Sequence, residues 1–283
     1  MISRFRFAQV IVVYAFLLFA STPTTAREYL ESNEVVALLS SSIGLSLLGD
    51  HFLDTGVKHG PRWTEPNSLD RWVARNLAPP PSHQQRNFMQ SAKAAIVNVA
   101  GGGLFVAATD AARFDNAWGR DVAQDQLLYW TGLASLSGVQ SIVKGVVARQ
   151  RPLARLAPDT AARRAHVGRG HDQRSFWSGH TSSAFYSSTF LNLRLRDLMR
   201  HKLTAEQWDS WSWVSPTVLF GWAGWIGYSR IHAYEHWFTD VAVGAVAGWA
   251  FAELFASFDD RSKIDTASGG AKAVPLFSVS FQF

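Results

Sequence analysis

Three short blocks of the sequence contain the residue types that bind and transfer a phosphate group. The first block runs from Lys144 to Pro152 and carries two cations, Lys144 and Arg151, seven residues apart. Seven residues are about two helical turns, so the spacing predicts both cations on one helical face, and Pro152 is expected to end that helix. Two cations on one face favour an anion between them. A solvated basic helix end, favoured by the helix dipole, explains the pattern equally well.

The second block runs from Ser175 to His180 and directly precedes an apolar segment. Ser178 has a side chain suited to cap the following helix, and Gly179 lets a ligand approach the backbone closely. Free N–H groups at the start of a helix bind phosphate, which would leave His180 at the rim of the anion site. A simple capping turn with an incidental histidine is the alternative interpretation.

The third block, Ser229 to Asp240, predicts an oriented histidine. His236 and Asp240 are four residues apart, a spacing that on a helix lets the carboxylate accept a hydrogen bond from one ring nitrogen and leaves the other as an outward lone pair. Such a ring is a nucleophile or a base. Arg230 adds a planar guanidinium that suits phosphate oxygens. A His-x-x-x-Asp pair taken alone is more often a surface pair.

Together the three blocks resemble the signature of the type 2 phosphatidic acid phosphatase superfamily, which includes bacterial acid phosphatases, lipid phosphatases and vanadium haloperoxidases. The family pattern is Lys, six residues, Arg-Pro; then Pro-Ser-Gly-His; then Ser-Arg, five residues, His, three residues, Asp. The chain matches the first and third blocks fully and has Trp177 where the second block of the family usually has proline. That difference bears on the rigidity of the turn. The resemblance covers about residues 124–257.

The resemblance implies a phosphatase that uses no metal or other cofactor and works through a phosphohistidine. His236 would attack phosphorus, Asp240 would hold its ring in the attacking tautomer, and His180 would protonate the leaving oxygen and later activate water. Five residues would bind the phosphoryl oxygens: Lys144, Arg151, Ser178, Gly179 and Arg230. The substrates implied are phosphomonoesters or lipid (pyro)phosphates. Preorganised donors around the oxygens and two imidazoles in different roles suit this chemistry.

Three other interpretations stay open at this point. His232 to His236 fits the H-x-x-E-H pattern of zinc hydrolases, with Glu235 as the base, although this leaves the cations and His180 without a role. A vanadate-dependent haloperoxidase-like enzyme would hold vanadate in the same pocket. A catalytically degenerate envelope protein would use the pocket for binding only, an interpretation that the unusual Trp177 motivates.

The composition predicts an apolar, helical scaffold for these blocks. Hydrophobic residues make up 47% of the 283 residues and charged residues 17%, which excludes an intrinsically disordered chain. The chain has no cysteine, which excludes a disulfide scaffold and thiolate metal sites. The formal charge of +5 is spread without a dense basic stripe, so we expect no nucleic-acid partner.

Six apolar segments rich in small residues predict an all-α fold with a six-helix core of the family kind. They lie near residues 34–53, 94–112, 126–148, 179–193, 210–229 and 237–257. Their charge-free parts are mostly shorter than the roughly 20 residues that span a bilayer. The sequence therefore predicts membrane association, with a phosphorylated small molecule or lipid as the partner, and leaves the number of spans and the oligomeric state open.

The two ends of the chain carry signals of their own. Residues 1–26 have two arginines, an apolar run and small residues before Arg27, a pattern of a signal peptide or membrane anchor that predicts export to the bacterial cell envelope. Residues 27–262 would form the helical phosphatase domain. Residues 263–283 contain a Ser/Gly-rich linker and then alternate apolar with polar side chains, which predicts a short C-terminal β-strand.

Overall fold

The computed structural model describes residues 30, 32–58, 60–77, 92–114, 119–156 and 172–268. Within these ranges the secondary structure is helical, which confirms the all-α prediction for this part of the chain. In chain order the helices are α1 (Ser32–Lys58), α2 (Ser68–Asn76), α3 (Ala92–Phe114), α4 (Arg120–Val147), α5 (Pro152–Leu156), α6 (Gly179–Lys202), α7 (Ala205–Trp211), α8 (Val214–His232) and α9 (Phe238–Ser268).

The six long helices α1, α3, α4, α6, α8 and α9 correspond one by one to the six apolar segments, so the six-helix prediction is confirmed. Helix α6 is the centre of the bundle, because it packs against α3, α4, α8 and α9. Helix α1 packs along α4. The short helix α2 lies in the connection between α1 and α3, and the short helix α5 follows the C-terminal end of α4.

Small residues allow the helix axes to approach closely. A Cβ atom added at Gly248 of α9 would come within 2.2 Å of the Ser182 carbonyl oxygen of α6. One added at Gly145 of α4 would come within 2.1 Å of the Phe52 carbonyl oxygen of α1. Larger side chains at these positions would force the helices apart, so the small-residue pattern of the sequence sets the spacing of the bundle.

An aromatic cluster joins α4 to α6 in the core. The side chains of Tyr129, Tyr186 and Phe190 are fully buried, and the Tyr129 ring packs edge-on against Phe190 with centroids 5.5 Å apart. The hydroxyl oxygens of Tyr129 and Ser187 lie 2.7 Å apart, so the buried phenol has a hydrogen-bond partner. This cluster fixes the relative position of two helices that carry residues of the predicted site.

The outer surface of the bundle is unusually apolar. Large side chains that are more than half exposed occur on four of the long helices, among them Leu47, Leu104, Val218 and Val246. Two helical stretches, Asn33–Gly56 and Phe238–Phe258, are long and apolar enough to cross a membrane. Exposed apolar side chains on several helices suit contact with lipid or with another apolar partner.

Several sequence predictions fall outside the described residues. The signal peptide or anchor of residues 1–26 and the C-terminal strand both do. Helix α9 continues to Ser268, so the linker predicted to begin at residue 263 starts inside this helix. The other domain boundaries stay predictions.

Candidate active site

All three sequence blocks lie where four helix ends meet. Lys144 is in the last turn of α4, His180 is the second residue of α6, and Arg230 is in the last turn of α8. Asp240 is in the first turn of α9, and His236 lies in the turn between α8 and α9. The bundle therefore brings the chemically capable residues to one end.

The first block does not form one continuous helix, contrary to the sequence prediction. Helix α4 ends at Val147 because Ala148 adopts the left-handed conformation, with φ 45° and ψ 50°, which terminates helices. The next residues run beside Trp63, whose carbonyl oxygen accepts a hydrogen bond from the Gln150 N–H at 2.9 Å. Pro152 is the first residue of α5 rather than the end of α4, a position that suits proline.

Arg151 nevertheless lies beside the other predicted site residues. Its guanidinium forms an ion pair with the Glu235 carboxylate, and both side chains are nearly buried. Its Nη2 also donates to the Arg174 carbonyl oxygen at 3.4 Å. An anion that approaches Arg151 must therefore share the guanidinium with Glu235 or displace it.

The second block caps α6 as predicted. Ser178 has an extended backbone, and its hydroxyl oxygen accepts hydrogen bonds from the Thr181 N–H and the Thr181 hydroxyl. The N–H groups of Gly179 and His180, the first two helical residues, have no carbonyl partner within the helix. The start of α6 thus offers backbone donors to an anion.

Gly179 is required for packing as well as for ligand access. A Cβ atom there would come within 2.5 Å of the Gln140 side-chain amide. Gln140 donates from Nε2 to the Trp177 carbonyl oxygen at 3.1 Å. The Ser178 N–H donates to the Asp240 carbonyl oxygen at 3.0 Å, and the Trp177 ring is buried in the core. These contacts hold the turn in which the family usually has proline.

The third block orients His236 by a different acceptor from the one that its spacing suggests. The ring nitrogen Nδ1 of His236 lies 2.7 Å from the Ser175 carbonyl oxygen but 3.8 Å from Oδ2 of Asp240. The reason is that α9 begins only at Phe238, so His236 is not on a helix with Asp240. A carbonyl oxygen can only accept, so Nδ1 donates its proton and Nε2 of the neutral ring keeps the lone pair.

Asp240 has other partners and is fully buried. Its Oδ2 accepts from the Ser175 hydroxyl at 2.5 Å and from the Trp237 N–H at 2.9 Å. Its Oδ1 accepts from Nη1 of Arg149 at 2.5 Å. The carboxylate therefore holds Ser175, whose own carbonyl oxygen orients His236.

Sequence reasoning missed a buried ion pair next to these residues. Arg149 is 1% exposed, and its guanidinium binds the carboxylates of both Asp70 and Asp240. The indole of Trp63 lies against the guanidinium, 3.8 Å from its ring centroid to Cζ. Asp70 is in an ordinary polar stretch 74 residues before Lys144, so no spacing within a motif could have indicated it.

The titratable groups lie close enough to shift one another's pKa values. Burial is the main cause that lowers the pKa of His180 to about 3, and the charges of Arg230, Lys144 and Arg151 and the His236 ring add to it. Burial also lowers the pKa of His236 to about 4, partly offset by Asp240. The pKa of Lys144 is lowered to about 7 by burial and by neighbouring arginines. Both imidazoles are therefore neutral near pH 7 in the unliganded pocket.

A small cavity of about 10 Å³ borders His236. Its walls are mainly apolar and come from α2, the start of α5 and the turn between α8 and α9, and they include Val73, Pro152 and Tyr234. Asp70 also lines this cavity, which has room for about one water molecule.

The zinc interpretation finds little support in the side-chain geometry. Among the described residues, no three His, Cys, Asp or Glu side chains form a group that could hold a metal ion. Glu235, the base in that interpretation, is paired with Arg151. Nδ1 of His236 is engaged by the Ser175 carbonyl oxygen.

Part of the chain matches a known protein family. Residues 126–263 match the model of the PAP2 superfamily, the family of type 2 phosphatidic acid phosphatases. These residues belong to the PAP2 superfamily. The match contains all three blocks, from Lys144 to Asp240, and confirms the resemblance found in the sequence.

The PAP2 region resembles named lipid phosphatases over part of their length. "Probable diacylglycerol pyrophosphate phosphatase 1" of Schizosaccharomyces pombe is 39% identical over 94 residues, which are 31% of this chain and 33% of the relative. Human "Phospholipid phosphatase 2" is 34% identical over 28% of this chain and 26% of the relative. Mouse "Phospholipid phosphatase 1" is 33% identical over 33% of this chain and 32% of the relative. The chain thus spans about a third or less of these relatives.

Among solved structures, a transmembrane PAP2 type phosphatidylglycerolphosphate phosphatase from Bacillus subtilis is similar to this chain. The superposition covers 80% of this chain and 97% of the Bacillus protein, with a TM-score of 0.49 and 16% sequence identity.

Proposed function

We propose that this PAP2 protein is a metal-independent phosphatase that hydrolyses lipid phosphates or pyrophosphates through a phosphohistidine on His236. The observation that carries the proposal is that Lys144, Arg230 and the two imidazoles of His180 and His236 all lie at the helix ends around the start of α6. Phosphoryl transfer needs this combination, because charge on the phosphoryl oxygens must be met while one base attacks and another moves a proton.

Phosphate binding is assigned to Lys144, Arg151 and Arg230, together with Ser178 and Gly179 at the start of α6. Lys144 and Arg230 lie in the last turns of α4 and α8, Arg151 could share its guanidinium between Glu235 and an anion, and the N–H groups of the first turn of α6 supply uncharged donors. Ser178 contributes by capping the helix, since its hydroxyl already accepts from Thr181. Anion binding would also offset the mutual repulsion of the cations in the empty pocket.

His236 is assigned as the nucleophile. The Ser175 carbonyl oxygen engages Nδ1, so Nε2 carries the lone pair that would attack phosphorus. The new Nε2–P bond would form as the bond from phosphorus to the leaving oxygen breaks. The ring then becomes cationic, and the nearby Asp240 carboxylate, 3.8 Å from Nδ1, would stabilise that charge.

His180 is assigned as the acid that protonates the leaving oxygen and as the base that later activates water. In the empty pocket its pKa is about 3 because of burial and surrounding positive charge. A bound phosphate brings negative charge among the same cations, which would raise the pKa of His180 and let it hold a proton. After the leaving group departs, the neutral ring would take a proton from the water that attacks phosphorus, releasing phosphate and free His236.

A lipid substrate is favoured over a soluble one by two observations. The relatives with the matching region are named for phospholipids and a diacylglycerol pyrophosphate. The bundle exposes large apolar side chains on several helices, and two helices are long and apolar enough to cross a membrane. We therefore propose a membrane-associated enzyme of the cell envelope, with residues 27–262 as its catalytic domain.

An assay with purified protein tests the function directly. We expect phosphate release from phosphatidic acid or diacylglycerol pyrophosphate in mixed micelles, unchanged by EDTA and inhibited by vanadate, which mimics a phosphoryl group under attack. Loss of activity in EDTA would favour the zinc hydrolase. Peroxide-dependent halide oxidation by the vanadate-loaded protein would favour the haloperoxidase, and vanadate binding without turnover would favour the degenerate envelope protein.

A further inference from the structure

The short helix α2 lies outside the residues that match the PAP2 superfamily, yet it contacts the predicted active site. Asp70 of α2 is 1% exposed, and both of its carboxylate oxygens are engaged. Oδ1 accepts from the Thr239 N–H at 2.9 Å, and Oδ2 accepts from the Thr239 hydroxyl at 2.9 Å and from Nη2 of Arg149 at 2.5 Å. The side-chain oxygen of Asn67 accepts a hydrogen bond from the Asp70 N–H, which caps α2 and fixes the position of Asp70.

Arg149 links Asp70 to the third block by hydrogen bonds. Its Nη1 donates to Oδ1 of Asp240 and to the Thr239 hydroxyl at 2.7 Å. Its charge is therefore compensated by two buried carboxylates, so it is not available as a phosphate ligand. Arg151, which stands two residues later, has a single carboxylate partner among the described ion pairs, Glu235, and both side chains are less completely buried.

A continuous set of hydrogen bonds then leads from Arg149 to His236. Asp240 accepts from the Ser175 hydroxyl, and the Ser175 N–H donates to the Arg149 carbonyl oxygen at 3.1 Å. The Ser175 carbonyl oxygen accepts from Nδ1 of His236. Since Ser175, Asp240, Arg149 and Asp70 are all at most 1% exposed, water cannot replace a lost partner in this network.

We propose that Asp70 is a positioning residue of the phosphatase site, which acts through Arg149, Asp240 and Ser175 to hold His236 with Nε2 directed at phosphorus. This inference rests on the proposed function for its kinetic consequence and on the described contacts for its geometry. The described hydrogen bonds of the Asp70 carboxylate go to Arg149 and Thr239 and not to the His236 ring. Removal of Asp70 therefore acts on the nucleophile and leaves the phosphate-binding cations in place.

The expected consequence is a change in kcat without a matching change in KM. In Asp70→Asn, the amide oxygen can still accept from the Thr239 N–H, but the amide nitrogen cannot accept from Arg149. Arg149 then depends on Asp240 alone and draws that carboxylate away from the Ser175 hydroxyl. We expect kcat to fall by about 10- to 100-fold, as for other residues that orient a reactive ligand, and KM to change by less than about twofold.

A matched control removes a buried ion pair elsewhere in the bundle. Asp125 of α4 pairs with Arg194 of α6, and the two side chains are 6% and 4% exposed. Asp125 lies 19 residues before Lys144 in the same helix, about 28 Å along its axis. Asp125→Asn should lower the denaturation midpoint as Asp70→Asn does, but leave kcat and KM of the folded enzyme unchanged.

A second variant covers the case in which Asp70→Asn does not fold. Thr239→Val keeps both carboxylates and Arg149 and removes only the hydroxyl that bonds to Asp70 and Arg149. We expect it to fold and to lower kcat by several-fold, again with KM preserved.

The experiment is steady-state kinetics on the full-length wild type and these variants with phosphatidic acid in mixed micelles, plus ¹⁵N NMR of histidine-labelled protein. The inference is supported if Asp70→Asn or Thr239→Val lowers kcat and preserves KM while Asp125→Asn does neither. The ¹⁵N resonance of His236 Nδ1 should also shift in the variant that loses activity. Unchanged kcat in both folded variants, or a rise in KM that accounts for the loss, overturns it. An inactive wild type overturns the proposed function instead, and the ¹⁵N resonance of His236 in Asp70→Asn then decides the positioning claim alone.

Discussion

The Ser175 carbonyl oxygen lies 2.7 Å from Nδ1 of His236, closer than the Asp240 carboxylate at 3.8 Å. A backbone acceptor fixes the ring tautomer without any side chain. The tautomer of His236 therefore depends on the path of the turn that contains Ser175. Asp240 acts on that turn through the Ser175 hydroxyl and through its own carbonyl oxygen, which accepts the Ser178 N–H.

Asp240→Asn should consequently be milder than His236→Ala. The first variant keeps the nucleophile and the Ser175 carbonyl oxygen, so we expect kcat to fall by about 10- to 100-fold. The second removes the attacking nitrogen, and we expect a loss of at least about 1,000-fold. His201→Ala, at an exposed site on α6, is the control for removal of a histidine. Equal losses in Asp240→Asn and His236→Ala would contradict the separate roles.

Part of this site follows from the sequence alone. The spacing within the blocks predicts Lys144, His180 and His236 as site residues, and the structure places all three at one end of the bundle; their roles stay a prediction. The Ser178 cap was predicted for the same reason and is confirmed.

What the sequence could not predict depends on backbone geometry and on distant contacts. The spacing predicts Arg151 on the same helix as Lys144, but α4 ends before it because Ala148 is left-handed. The spacing also predicts His236 on the same helix as Asp240, but α9 begins only at Phe238. Asp70 reaches the site only through tertiary packing, and no local pattern marks it. Asp70 and Arg149 are 79 residues apart in the sequence, so no helical or strand periodicity predicts their contact.

The plot of kcat/KM against pH should be bell-shaped, with its maximum between the two pKa values of about 4 and about 7. His236 must be neutral to attack, so kcat/KM should rise as the pH rises through the His236 pKa of about 4. Lys144 must be protonated to bind phosphate, so kcat/KM should fall as the pH rises through the Lys144 pKa of about 7.

Lys144→Arg isolates the alkaline limb of that profile. An arginine keeps its charge throughout this range, so the fall near pH 7 should move to higher pH while the acid limb stays in place. Measuring both enzymes with the same substrate cancels the ionisation of the substrate itself. An alkaline limb that is identical in both would show that Lys144 does not cause it.

Glu235→Gln should increase the affinity for anions. The Glu235 carboxylate is paired with Arg151 in the empty pocket and competes with an incoming phosphoryl group. Removing its charge should lower the inhibition constant of vanadate by about three- to tenfold. Glu65→Gln is the matched control, because Glu65 pairs with Arg155 at an exposed position. Weaker vanadate inhibition in Glu235→Gln would mean that the carboxylate assists anion binding.

The close packing of α9 on α6 should limit the size of residue 248. A Cβ atom at Gly248 would approach the Ser182 carbonyl oxygen to 2.2 Å, so we expect Gly248→Val to lower the free energy of unfolding by about 1–3 kcal/mol or more. Gly224 of α8 has no neighbour within 4 Å of an added Cβ atom, so Gly224→Ala should stabilise by about 0.5–1 kcal/mol. Denaturant titrations of both variants check the contrast, and a neutral Gly248→Val would argue against the helix contact.

The central claim is that His236 carries the phosphoryl group during turnover. Rapid acid-free quenching after mixing with substrate labelled in the transferred phosphate, followed by peptide mapping, tests it most directly. We expect an acid-labile, base-stable phosphate on the peptide that contains His236, formed equally in EDTA and absent from His236→Ala. A label on a residue other than His236 would contradict the account. So would turnover of the wild type without any phosphoenzyme, provided that the same quenching conditions trap a phosphoenzyme in a known phosphohistidine enzyme.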